Sequence, residues 1–499
     1  MNVVLFHRPP RSAAPVAPDL TGVRVYLDSL GCPKNLVDSE AALGLLAGRG
    51  CVRAPEPEAA DVLVVNTCGF LESAREESIE RILELAQLKA FGRPRLLAVL
   101  GCLVARAADE LAEALPEVDL WLPAGRHGEL PARLAEKWAG GPPPEMRHRS
   151  DRSGSGRAPI TAFAGFGQRT LLTPSHTAYL KVSEGCSNAC TFCSIPLMRG
   201  EQRSRPIRAL VDEAAALATG GVRELHLVAQ DLTQYGFDLR GRPDLLDLVR
   251  ALAEVPELEW VRLLYAHPAH LTRRMLAGLF DTPKVVRYLD VPVQHASARI
   301  LKAMRRPYAP DRVRAQCAEL RERFPGIVLR TTVIVGFPGE TERDFETLCR
   351  FVDEVRFDRL GIFTYSREPG TPASTRRGRP RASTASRRMQ TLSELQMHIA
   401  AERAAARVGG RVRVLVDGPV PPEDRAGQPL AAGTVAVGRS EGEALDIDGC
   451  LYLEPAPGGA TPATGTFVWA EIVAADVHDL RARICAPGVP PVIGAKPKG

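Results

Sequence analysis

The stretch KVSEGCSNACTFCSIP, Lys181–Pro196, decides how the rest of the chain is read. It carries Cys186, Cys190 and Cys193 in a C-x3-C-x2-C spacing, directly after TAYLKVS, an apolar run that reads as a β-strand. Thiolates are soft ligands suited to iron–sulfur clusters. Three of them leave one iron of a four-iron cube without a protein ligand. Catalysis needs such an open position, whereas a structural site is closed by a fourth ligand. A loop that follows a parallel strand lies at the C-terminal rim of an α/β barrel, where that architecture places its chemistry. The competing reading is a zinc knuckle, for which no obvious fourth ligand stands nearby.

Working outward, residues 176–374 hold six strand candidates: TAYLKVS, RELHLVA, LEWVRLL, VRYLDVPV, IVLRTTVIV and RLGIFTY. Helical segments such as PDLLDLVRALAEV lie between them. Six successive β/α units predict an open, partial (β/α)6 version of the parallel barrel. Residues 21–138 also alternate strands (VRVYLDSL, DVLVVN, RLLAVLG) with helices and predict a smaller parallel α/β domain. Between the two, 139–175 is rich in Pro, Gly, Ser and Arg and reads as a linker. After the barrel, TRRGRPRASTASRR reads as a basic, solvated connector, followed by a helix over Met389–Val408; together they fill 375–408. Residues 409–485 contain RVRVLVDG, GTVAVGR and TFVWAEIVAA and predict a small antiparallel β-barrel. Residues 1–20 and 486–499 read as tails.

The bulk numbers agree with a globular enzyme. The chain has 499 residues, 45% of them hydrophobic and 25% charged. No apolar run reaches the roughly eighteen residues a membrane helix needs. MNVVLFHRPP places its apolar run before its charges, the wrong order for a secretory signal, so a cytoplasmic location is expected. Eleven cysteines, an odd number, argue against a closed disulfide framework and point to reduced thiols that bind metal.

Three further cysteines share one structural position. Cys32 follows VRVYLDSLG, Cys68 follows DVLVVNT and Cys102 follows RLLAVLG. Each falls just past the C-terminal end of a predicted parallel strand, the edge where open α/β sheets bind ligands. Convergence there would hold a second three-thiolate cluster with a free iron. Taken singly, each could instead be a small packing residue. Cys51, Cys317, Cys349, Cys450 and Cys485 show no such pattern and read as packing residues.

The spacing C-x3-C-x-aromatic-C, with Phe192 as the aromatic, resembles the signature of radical S-adenosylmethionine enzymes. SLGCPKNLVDSE, NTCGF and GCL, followed by the radical loop and a C-terminal β-barrel, resemble the methylthiotransferase family from about residue 22 to 484. The resemblance implies an N-terminal methylthiotransferase domain, a radical barrel and a TRAM domain. It implies two [4Fe–4S] clusters, held by Cys186, Cys190 and Cys193 and by Cys32, Cys68 and Cys102, with S-adenosylmethionine as cosubstrate. One S-adenosylmethionine would methylate a sulfur species at the second cluster. Another would yield the 5′-deoxyadenosyl radical that takes a hydrogen from an unreactive carbon. Phe192, Gly336 and Glu340 are expected near the S-adenosylmethionine, the last two from TTVIVGFPGET.

Two branches of the family compete. One modifies an adenosine of transfer RNA. The RimO-type branch modifies the β-carbon of an aspartate in small-subunit ribosomal protein S-twelve. GCPKN at Cys32, GFLESAREES after Cys68 and PVQHASARILKAMRR at Pro292–Arg306 resemble the RimO type. Charge points the same way: between Arg411 and Arg483 six arginines face eleven carboxylates, a balance of −5 within a chain of +5. Such a barrel repels phosphates and favours a basic protein partner. The expected enzyme is therefore a monomer that acts on basic protein S-twelve, with an unidentified sulfur donor and an unidentified electron donor. A non-catalytic iron–sulfur electron carrier is the remaining alternative, disfavoured because both sets supply three ligands. Gln230 and Asp231 end the second barrel strand and Gln294 and His295 follow the fourth, so all four are rim candidates. For His295, donation to a substrate carboxylate and simple packing both stay open.

Overall fold

The computed structural model describes residues 19–139, 163–420, 433–456 and 458–486. The first sheet contains β1 (Arg24–Ser29), β2 (Val52–Arg53), β3 (Val62–Thr67), β4 (Leu96–Gly101) and β5 (Leu120–Pro123), in the order β2-β1-β3-β4-β5. Every pairing in it is parallel. The central β3 is buried at every position, as a strand covered on both faces must be. Around it lie α1 (Pro33–Ala47), α2 (Glu72–Phe91), α3 (Cys102–Ala114) and α4 (Leu130–Trp138). Neither β2 nor β5 is marked by a strong pattern, since the first has two residues and the second four.

The second sheet is open and parallel. It holds β6 (Thr177–Lys181), β9 (Glu224–Val228), β10 (Trp260–Leu263), β11 (Val285–Asp290), β12 (Val328–Val335) and β13 (Arg359–Thr364), in the order β13-β12-β11-β10-β9-β6. All six expected strands are present. A small hairpin, β7 (Ser183–Glu184) with β8 (Arg203–Ser204), frames the cysteine loop, and α5 (Ile195–Arg199) follows that loop. Side chains alternate across the sheet. Ala178, Leu180, Leu225, Leu227, Val261 and Leu263 pack under the surrounding helices. Tyr179, Val228, Trp260, Tyr288 and Val328 instead meet Val37 and Ala41 of α1, Phe166, and Leu415, Ala444 and Leu445 of the C-terminal domain. Both flanking domains therefore help seal one face of this sheet.

Two expectations about the connections change. The described end of the linker, 163–175, is packed: the Arg169 side chain is fully buried, hydrogen-bonded to Glu40 and ion-paired with Glu213, at 2.9 Å each. The Pro-, Gly-, Ser- and Arg-rich part of the expected linker, 140–162, lies outside the described residues, as do 1–18 and 487–499 of the expected tails. The helix expected over Met389–Val408 runs instead from Ala382 to Ala405 and takes in half of the basic connector. Arg388, expected to be solvated, is 3% exposed and its guanidinium bonds Glu342 at 3.0 Å.

The C-terminal domain is a closed barrel of β14 (Arg411–Gly418), β15 (Ala436–Arg439), β16 (Leu451–Glu454), β17 (Phe467–Ala475) and β18 (Leu480–Ile484). It is not wholly antiparallel, because β16 and β18 pair in parallel. Arg439 carries it onto the bottom of the central sheet, bonding Glu224 at 2.5 Å and Asp417 at 2.8 Å while 2% exposed.

Candidate active site at the border of two domains

Cys186, Cys190 and Cys193 occupy the loop between β7 and α5. The loop is pinned from several sides. The Cys186 N–H donates to Gly200 O at 3.0 Å, and Thr191 donates through its N–H to Met304 O and through its hydroxyl to Ala303 O. Asn188 donates to Asp231 at 2.7 Å and accepts from Gln234 at 2.7 Å. Arg306 donates to the Cys190 sulfur at 3.6 Å. Burial pushes the Cys186 thiol up to about 11 and the Cys193 thiol up to about 12. Without a cation the anionic form is unfavourable here; a metal that binds thiolate reverses that preference.

Cys32 caps the N-terminus of α1, Cys68 follows β3 and Cys102 opens α3 directly after β4. Because β1, β3 and β4 are adjacent and parallel, all three cysteines reach the same sheet edge. Their loops touch. A Cβ built on Gly31, at φ +87°, would stand 2.7 Å from Cys68 Cβ and 3.0 Å from its sulfur; one on Gly69 would stand 2.8 Å from the Cys102 backbone. Only glycine permits that approach. Asn35 ties the loops by donating to Leu30 O at 3.1 Å and Thr67 O at 2.9 Å. Burial, with Cys32 and Cys102 nearby, pushes Cys68 up to about 11. Cys32 is half-buried; desolvation would raise its thiol, but Lys34, Arg199 and the first N–H groups of α1 outweigh that and hold it below the ordinary value.

The two trios share one apolar cluster. Cys102, Cys186, Ile195, Met198 and Ala124 form one apolar cluster, with Phe70, Ala105 and Cys193 packed against it. Each trio offers three soft thiol donors, and Cys102, Cys186 and Cys193 stand on an apolar floor; that donor set is the kind an iron–sulfur cube takes. Asp231, His267 and His270 bring their ligand atoms within 4.8 Å of one another beside the radical loop.

The remaining candidates divide. Asp231 is 2% exposed; one oxygen accepts from the Thr233 N–H and hydroxyl, and the other from Asn188. It therefore braces the cysteine loop. Gln230 is half-buried at the end of β9, and Gln294 stands at φ +65° bridged to Val333. His295 is 1% exposed; its Nδ1 accepts from the Ser297 N–H at 2.9 Å and its Nε2 lies 3.7 Å from Glu340. Neither that Nε2 nor Glu340 Oε1 has a hydrogen-bond partner among the described residues. Gly336 turns at the end of β12 with φ +77°, and Glu340 folds back to accept from the N–H groups of Gly336 and Phe337. Phe192 is half-buried against Ile300, Met304 and Phe337. Arg199, Arg306, His267 and His270 were not found from sequence. Arg199 stands in IPLMRGEQRSRP, but its partners are distant in the chain.

Three family models match: uncharacterized protein family UPF0004 over residues 24–123, the radical SAM superfamily over 180–352 and the TRAM domain over 408–485. The chain is 46% identical over 466 residues to the ribosomal protein uS12 methylthiotransferase RimO of Anaeromyxobacter sp. (strain K), covering 93% of each. It is 43% identical to the RimO of Myxococcus xanthus (strain DK1622), covering 92% of this chain and 91% of that one. The chain belongs to the RimO family. Membership brings radical S-adenosylmethionine chemistry, and with it a [4Fe–4S] cluster and S-adenosylmethionine. The solved radical S-adenosylmethionine methyltransferase TsrM of Kitasatospora setae, with tryptophan and a SAM analogue bound, superposes with TM-score 0.52 over 71% of this chain and 75% of that one, at 15% identity. At that identity the likeness concerns the fold alone. The UPF0004 match spans Cys32, Cys68 and Cys102, and the radical SAM match spans Cys186, Cys190 and Cys193. Among the described residues no helix is long and apolar enough to cross a membrane.

Proposed function

We propose that this protein adds a methylthio group to the β-carbon of an aspartate in ribosomal protein uS12, the small-subunit protein S-twelve. In this reading Cys186, Cys190 and Cys193 hold one [4Fe–4S] cluster and Cys32, Cys68 and Cys102 a second, with two S-adenosylmethionine molecules used per turnover. Bound there, these groups supply the 5′-deoxyadenosyl radical and a sulfur species that can be methylated and transferred. The chain's own residues supply place and dryness. The apolar cluster of Ile195, Met198 and Ala124 beside Cys102 and Cys186 keeps water from a radical and a sulfur donor that must meet the same carbon. Asn188, Asp231 and Gln234 fix the loop that carries the radical trio. No acid–base pair is required of the protein, because hydrogen abstraction belongs to the radical.

The observation that carries the reading is the juxtaposition of two three-thiol sites across one domain border, in a chain with RimO relatives over nearly its whole length. The C-terminal barrel presents less free negative charge than its sequence suggests. Several acids of the C-terminal barrel are committed internally: Asp417 to Arg439, Glu443 to Arg407, Asp448 to Tyr288 and Glu441 to the Arg287 N–H. The uS12 assignment therefore rests on the relatives, and a cytoplasmic monomer supplied with external sulfur and electrons is the matching physiology. The test is anaerobic incubation of reconstituted protein with S-adenosylmethionine, sulfide, dithionite and either uS12 or transfer RNA. A methylthio mass on one uS12 aspartate is the expected product; modified adenosine with unmodified uS12 would transfer the assignment to the RNA branch.

A further inference from the structure

Arg199 belongs to the radical barrel by sequence but to the other trio by contact. It ends α5, the single turn of helix that leaves the radical loop. Its side chain crosses the domain border and is 1% exposed. Its Nε donates to the Cys102 sulfur at 3.3 Å, and one terminal nitrogen donates to the Asn35 side-chain oxygen at 2.5 Å. The other terminal nitrogen donates to Glu184 at 2.7 Å and to Asp38 at 3.2 Å. Asn35 in turn holds Thr67 O, one residue before Cys68, and lies three residues after Cys32. One guanidinium therefore touches, directly or through one amide, the loops of all three cysteines of the N-terminal domain.

We infer that Arg199 is a positioning residue of the second cluster, completing and tuning that cluster from the neighbouring domain. The inference rests on the two-cluster reading. Hydrogen bonds to a cluster's thiolates stabilise its more negative, reduced form and so raise its reduction potential. The fork geometry explains the choice of residue: a planar guanidinium can serve a sulfur, an amide oxygen and two carboxylates at once, which an ammonium cannot. The charges around it are arranged to aim it. Lys181 bonds Asp38 at 2.6 Å and also pairs with Glu184, so the two buried carboxylates are shared between two buried cations. Removing Arg199 deletes the donor to Cys102 and leaves Asp38 and Glu184 against Lys181 alone. Both changes add net negative character beside the thiolates and disfavour the reduced cluster. The arrangement also makes cluster assembly in the N-terminal domain depend on docking of the radical loop, since the donor arrives on the helix that follows Cys193.

The test uses full-length protein in which Cys186, Cys190 and Cys193 are all replaced by alanine, so that only the second site can hold iron. Arg199→Lys and Arg199→Gln are introduced into that parent. Iron and sulfide content, the midpoint potential followed by electron paramagnetic resonance, and the circular dichroism melt are measured for all three. The parent should carry about four irons per chain. Arg199→Lys keeps the charge but loses the fork, and should hold iron at a more negative midpoint. Arg199→Gln should shift further in that direction or lose its iron with an unchanged melt. If Arg199→Gln does not fold, Arg199→Lys decides. Variants matching the parent in both iron content and midpoint overturn the inference. A parent that binds no iron removes the two-cluster reading itself, and this inference with it, which distinguishes the two failures.

Discussion

Glu443 offers a test of how the C-terminal barrel is joined to the rest. Its side chain is completely buried. One oxygen accepts from Arg407 at 2.6 Å, beyond the end of the long helix Ala382–Ala405, with Arg359 of β13 3.9 Å away. The other accepts from the Ser440 N–H at 3.0 Å and hydroxyl at 2.6 Å. Burial alone would raise its pKa, but Arg407, Arg359 and the Ser440 hydroxyl outweigh it and hold the carboxyl at about 2, against an ordinary 4.5. At about 1.4 kcal/mol per tenfold, that depression contributes about 3 kcal/mol to folding at neutral pH. The sign follows from a folded value below the unfolded one. The contribution is complete above about pH 5, drops below half by about pH 3 and is gone beneath about pH 2. Glu443→Gln should therefore lower the stability of the C-terminal domain by about 3 kcal/mol at pH 7 and by less than half of that at pH 3. Urea unfolding at both pH values, with hydrogen exchange of β14 and β17 amides to localise the loss, measures it. An equal loss at both pH values, or no loss at pH 7, would refute the electrostatic account of this joint.

Four further outcomes are expected. Replacing Cys32, Cys68 and Cys102 together by alanine should leave 5′-deoxyadenosine formation in place and abolish the methylthio product, as read by chromatography and mass spectrometry of one reaction. Gly31→Ala should cost about 1 kcal/mol for its left-handed backbone and also force the Cys68 loop away, so bound iron should fall. Gly326→Ala, also left-handed at φ +84° but with open space around it, should cost similar stability and leave iron unchanged. Trp260→Ala removes a ring that packs edge-on to Phe467 at 4.8 Å between the central sheet and the C-terminal barrel. It should cost about 3–5 kcal/mol, seen as lost hydrogen-exchange protection in β17.

The sheet cores were legible because their signal is local. Buried parallel strands such as DVLVVN and RLLAVLG are largely apolar runs of the right length, and the cysteines that follow them inherit a predictable edge. Short elements carried too little signal: β5 is the four residues LWLP, and β16 and β18 have four and five. Composition misled where polar residues are buried in pairs. Arg169 and Arg388 sit in stretches that look solvated, yet each is neutralised by glutamates far away in the chain. The same physics limited the charge argument, since a sum of signs does not show that Asp417, Glu443 and Asp448 point inward. At the site, the six cysteines could be read one loop at a time. Arg199 could not, because its role exists only once two domains meet.

The central claim is that two three-thiolate sites each hold a cluster. Iron and acid-labile sulfide counted per chain after anaerobic reconstitution test it most directly. The account predicts about eight irons in the full protein and about four when either cysteine trio is replaced by alanine. About four irons in the unmodified protein, unaffected by loss of Cys32, Cys68 and Cys102, would contradict it.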